Sequence, residues 1–88
     1  MNHKHRVTLQ KIFAHPIDTN IDWKKIESLL LHLGGELNEG RTGRMKVILN
    51  GQEAVFSLPH HGHALQDKNE IVQLRHFLER AGVTPGSG

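Results

Sequence analysis

Apolar positions along this chain follow two different periods, and the places where the period changes predict its elements. Trp23, Ile26, Leu29, Leu30 and Leu33 recur at helical spacing, while Lys24, Lys25, Glu27 and Ser28 take the opposite face. Thr19, with Asp22 three residues on, resembles a capping box, so this helix is predicted to begin near Asn20 to Asp22. Gly34-Gly35 supplies its C-terminal cap. A short strand, Glu36 to Glu39, then leads into the loop Gly40 to Gly43. From there the period is two. Asn50-Gly51 between alternating runs predicts a hairpin, because a type I′ turn needs positive φ at both central residues. That turn sets Leu49 opposite Gln52, Val47 opposite Ala54 and Met45 opposite Phe56. Cross-strand partners share a face. Met45, Val47, Leu49, Ala54, Phe56 and Leu58 therefore face the core, and Arg44, Lys46, Ile48, Glu53, Val55 and Ser57 face away.

Helical spacing returns in Ile71, Leu74, Phe77, Leu78 and Ala81, with Gly82 as cap. Near the start, Leu9, Ile12 and Phe13 predict a short helix that stops by His15, since Pro16 steers its predecessor out of the α region. Met1 to Arg6 reads as a frayed end. Each long helix has one apolar stripe and the sheet one apolar face. The economical solution is α+β, with two helices on one face of a three-stranded antiparallel sheet. The order α-β-β-β-α, plus a short N-terminal helix, is the double-stranded-RNA-binding-domain layout. It divides the chain into an extension over 1–18, a single domain over 19–84 and a flexible end over 85–88.

Composition narrows the function classes. At 88 residues the chain is one domain, of a size whose stability is typically about 5–10 kcal/mol. The absence of cysteine excludes disulfides, thiolate metal sites and a thiol nucleophile. No apolar run reaches the roughly 18 residues of a membrane span, and the N-terminus has no signal-peptide core. The expectation is a cytoplasmic protein without a membrane partner, a monomer or weak dimer when free. Eleven Lys and Arg against nine Asp and Glu permit a nucleic-acid partner without requiring one.

Arg41, Gly43, Arg44 and Lys46 are the candidate RNA-binding residues. Glycine lets the backbone approach a phosphate, and two guanidinium groups make forked contacts with its oxygens. The alternative is a strand edge defended by charge. His60, His61 and His63 are the candidate catalytic residues: a near-neutral imidazole takes the 2′-hydroxyl proton, and the freed oxygen attacks the adjacent phosphorus. Exposed loop histidines give the same pattern without chemistry. As a zinc site the three lack a fourth ligand at a recognisable spacing, so no metal and no cofactor is expected. Lys4, His5, Arg6 and Lys11 read as a solvated face, Trp23 as a packing residue, and His32 and His76 as structural histidines. Ile48 and Val55 on the outer sheet face are either unremarkable or a patch for a protein partner.

Four segments together resemble the HicA family of bacterial toxins, small mRNA-cleaving proteins of toxin–antitoxin operons. They are Ile26-Glu27-Ser28-Leu29-Leu30 before a glycine-terminated helix, Arg41-Thr42-Gly43 opening a strand, Pro59-His60 after the hairpin, and Leu78-Glu79-Arg80-Ala81-Gly82-Val83. The resemblance spans about Trp23 to Val83. It implies the same fold, RNA as substrate, and a cognate HicB-type antitoxin that neutralises the toxin. Family members follow the strand-opening glycine with a small residue and the catalytic histidine; here Arg44 and Met45 stand there. Methionine exchanges no proton, so the ribonuclease (mRNA interferase) activity implied by the resemblance is expected to be weak, altered or absent. A non-catalytic RNA- or protein-binding domain on the same scaffold is the alternative.

Overall fold

The computed structural model describes residues 2–40, 43–58, 64–65 and 68–85. In chain order they form α1 (His3–Ile12), β1 (Ile21–Asp22), α2 (Trp23–His32) and β2 (Glu36–Glu39). β3 (Arg44–Leu49), β4 (Gln52–Ser57), β5 (Ala64–Leu65) and α3 (Lys68–Arg80) follow. The architecture is α+β: three helices and a three-stranded antiparallel sheet in the order β2-β3-β4, with a separate two-stranded pairing of β1 and β5.

The hairpin has the register its turn predicts. Met45 pairs with Phe56, Val47 with Ala54 and Leu49 with Gln52. Asn50 and Gly51 both take positive φ, 50° and 79°. Asn50 has a second task, because its side-chain amide donates to the Ala81 carbonyl at 2.8 Å. That carbonyl lies at the end of α3, where no intrahelical donor remains. One residue thus turns the hairpin and ties it to a helix terminus.

α2 and α3 both end in Schellman motifs. The Gly35 amide donates to the Leu30 carbonyl at 2.9 Å, and the Val83 amide to the Leu78 carbonyl at 2.8 Å. Gly35 is also pressed between elements. A Cβ there would lie 3.0 Å from the Leu30 carbonyl oxygen and 3.3 Å from that of Ile48, so a side chain would push α2 off β3.

One core joins the layers. Val47, Leu49 and Phe56 from the sheet pack with Ile26, Leu29 and Leu30 of α2 and Ile71, Leu74, Phe77 and Leu78 of α3. Trp23 is buried among them, as its place on the apolar stripe predicts. Leu9 and Ile12 of α1 belong to the same cluster.

Two expectations need correction. The first helix is as long as α2, and residues 3–6, expected to fray, belong to it. It begins at His3, where the Asn2 side chain accepts from the His5 amide at 2.8 Å. Thr8, buried on this helix, donates its hydroxyl to the Lys4 carbonyl one turn back. The second correction concerns α2. Asp22 is its N-cap, accepting from the Lys24 amide at 2.9 Å, and Thr19 plays no capping part. Pairing with Leu65 and Ala64 holds Ile21 and Asp22 extended, so the helix cannot start before Trp23. No described helix is long and apolar enough to cross a membrane.

Candidate nucleic-acid interface

The side of the sheet turned away from the core carries three cross-strand rows. Glu36, Ile48 and Glu53 form the row nearest the hairpin turn, and Asn38, Lys46 and Val55 the middle one. Arg44 and Ser57 form the third, with Gly40 closing it by donating its amide to the Arg44 carbonyl at 3.1 Å. Charge is therefore segregated along the strands. Acid lies toward Asn50-Gly51 and base toward the strand opening.

Lys46 leans across to Glu53 and pairs with it. Both side chains are about half exposed, so water screens the pair and it contributes about 0–1 kcal/mol. Arg44 is exposed and has no acidic partner among the described residues. A depression of about 450 Å³ is lined by Gly40, Arg44, Lys46 and Val55. Its lining joins apolar Val55 to cationic Arg44 and Lys46, which suits a sugar-phosphate edge: guanidinium and ammonium donors on the oxygens, a methyl surface against the ribose.

The backbone around this cationic end is well tied. Gly43 accepts from the Leu58 amide at 2.7 Å, extending the β3–β4 ladder by one pair, and itself takes a φ of 80°. Beyond Leu58 the chain returns through β5 beside Asp22. Of the expected RNA-binding residues, Gly43, Arg44 and Lys46 come together at one end of one face. Arg41 lies outside the described residues, as do the catalytic candidates His60, His61 and His63. Met45 is 8% exposed and faces the core opposite Phe56, so no proton-transfer group occupies its position. His32 and His76 are exposed helix residues.

His5 departs from the solvated face expected of it. Its Nε2 shares a 2.8 Å hydrogen bond with the Ser28 hydroxyl, the donor depending on the tautomer. Its ring lies 4.6 Å from that of His32, centroid to centroid. Loss of hydrating water lowers the His5 pKa, with smaller contributions from His32 and the amino terminus. The unfolded chain therefore takes up this proton more readily than the folded one. The resulting penalty is absent well above pH 6.5 and grows as the pH falls through that unfolded value toward the lower folded one. In an NMR titration His5 should titrate below 6.5 and move upward in a His32→Asn variant. A folded-state pKa at or above 6.5 would contradict this downward shift.

No protein-family model matches this chain, and no curated protein or solved structure is significantly similar to it. Fold and face together define a coarse class: a small α+β protein whose sheet presents an exposed arginine, without an acidic partner among the described residues, at its strand opening.

Proposed function

We propose that this chain is a HicA-like toxin component that binds RNA through the outer face of its sheet and is neutralised by a cognate HicB-type antitoxin. The observation that carries the reading is the exposed, unpaired Arg44 beside Lys46 over a shallow depression at the strand opening. The order α2-β2-β3-β4-α3 supports a double-stranded-RNA-binding-domain-like scaffold, on which RNA is met through its backbone and 2′-hydroxyls. Burial of Met45 in the core supports the accompanying expectation that cleavage is weak or absent. On this reading Arg41, Arg44 and Lys46 hold phosphate oxygens. Proton transfer from a 2′-hydroxyl, where it occurs, falls to His60, His61 or His63.

Val55, at 50% exposure beside the half-buried Ile48, favours a protein-docking role for the same face. An antitoxin seated there would cover the RNA-binding cations, so the two roles are compatible. A purely protein-binding domain is the second reading.

One preparation tests both binding and chemistry. Binding to duplex RNA should weaken in an Arg41→Ala/Arg44→Ala variant. The slope of log affinity against log salt should flatten by about 1–2, since each lost phosphate contact releases fewer counterions. Cleavage of total mRNA by the parent protein should stay near background. An unchanged slope in a folded double variant moves the RNA surface elsewhere. Robust cleavage that persists with His60, His61 and His63 all changed to alanine overturns the assignment of the chemistry.

A further inference from the structure

The chain contains no carboxylate residue before Asp18, and the fold concentrates the resulting charge. α1 packs against α2 with its first turns beside the end of α2, where His5 meets Ser28 and His32. Between the two helices runs a groove of about 540 Å³ whose walls include Lys4, Lys11 and Lys25, with His3, His5 and Val7. No carboxylate lines it, and none of the three lysines has an ion-pair partner among the described residues. The overall charge of the protein is only +2, so this is a local accumulation rather than a general excess. It also opposes the helices themselves. The first turns of α1 and α2 hold no acid beyond the Asp22 cap of α2, and Lys4 and Lys25 lie at the end of their helices where the macrodipole is positive, while Lys11 lies in the last turn of α1. Such charges repel one another until an anion lies between them.

Two features say what kind of anion. Lys4 and Lys11 are seven residues apart on one helix, about 10 Å along its axis at 1.5 Å per residue, too far to converge on a single phosphate. The groove suits a chain of negative charges. Val7 and the His3 ring add apolar and aromatic surface to the same groove, which an acidic peptide does not need and an unstacked base does.

We infer that the groove between α1 and α2 is a second nucleic-acid surface, one that takes the phosphodiester backbone of a single strand. It extends the proposed RNA-binding reading without depending on Arg44. The groove lies among the helices, whereas Arg44 and Lys46 sit on the face of the sheet turned away from them. A strand held on both surfaces must pass around the molecule, and two shorter segments fill them independently.

The test uses a labelled single-stranded oligoribonucleotide of about twelve nucleotides, within the usual range of site sizes. Lys4→Gln/Lys11→Gln/Lys25→Gln replaces three charged side chains by another good helix former. The variant should bind about tenfold or more weakly at low salt, with the log–log salt slope reduced by about 2, since single strands give roughly 0.7 per neutralised phosphate. The same loss should appear when the three changes are made in the Arg41→Ala/Arg44→Ala background. That separates failure of this groove from failure of the sheet-face reading. With the parent protein, amide shifts of residues in α1 and the start of α2 should move on titration. Unchanged affinity and slope in the folded triple variant overturn the inference, as do shifts confined to the sheet. Displacement of the strand by polyglutamate at equal charge concentration overturns it in favour of an acidic protein partner.

Discussion

Phe56→Ala lowers the stability of this protein by about 3–5 kcal/mol, the sum of lost transfer energy and an incompletely filled cavity. Phe56 is 0% exposed on the core face of β4, and its ring meets that of Phe77 on α3 edge-on, with centroids 5.9 Å apart. Aromatic pairs in this geometry add about 0.5–1.5 kcal/mol beyond the area they bury. The truncation removes an aromatic contact between the sheet's core face and the last helix. For a domain whose total stability is about 5–10 kcal/mol, that is close to half. Urea unfolding should show a large drop in midpoint with little change in slope. A loss below about 1 kcal/mol would mean that the ring is not packed between β4 and α3.

Arg75→Ala should cost about 2–3 kcal/mol and loosen α1 more than the sheet. The guanidinium of this α3 residue reaches the end of α1, where Nε donates to the Ile12 carbonyl at 2.6 Å and Nη2 to the Ala14 carbonyl. The last carbonyls of a helix have no partner within it, and a partly buried site leaves them little water. Charged donors make these bonds stronger than neutral ones. Removing the side chain leaves two acceptors unpaired and takes away the bridge between α1 and α3. Hydrogen exchange should show protection lost first across His3–Ile12, with the β3–β4 amides retaining most of theirs. Lysine at the same position keeps the charge but not the fork, and should recover only part of the loss. Uniform loss of protection along the chain would show that Arg75 does not hold α1 specifically.

The basic strand opening and the basic helix groove differed in how far they could be read in advance. Arg44 and Lys46 alternate with the core residues Met45 and Val47, so a period of two was enough to place them on one outer face. That Lys46 would spend its charge on Glu53 also follows from the register, since the two lie diagonally across the hairpin. His5, Lys11 and Lys25 could not be assembled the same way. Nothing local in the run from His3 to Arg6 predicts that it packs on α2, since its apolar content is low and its helix start depends on one cap residue, Asn2. The available signal was the lack of any acid before Asp18, a pattern that a solvated face does not require.

What the sequence by itself determined was the set of features decided within a few residues. Asn50-Gly51 closes the hairpin because its two positions need positive φ, and the alternation then leaves one register that buries Phe56 and Val47 together. Gly34 and Gly82 stop their helices for an equally local reason. Tertiary structure decided the rest. β1 exists only because Ile21 and Asp22 find Leu65 and Ala64 across the fold, and that pairing delays the start of α2 to Trp23. α1 persists through its first turns because Ser28 engages His5, and its end is held by Arg75, 63 residues from Ile12 in the chain. Contacts between residues so far apart carry no periodic trace. They form only once hydrophobic burial has brought the layers together and left unpaired carbonyls and charges to find partners.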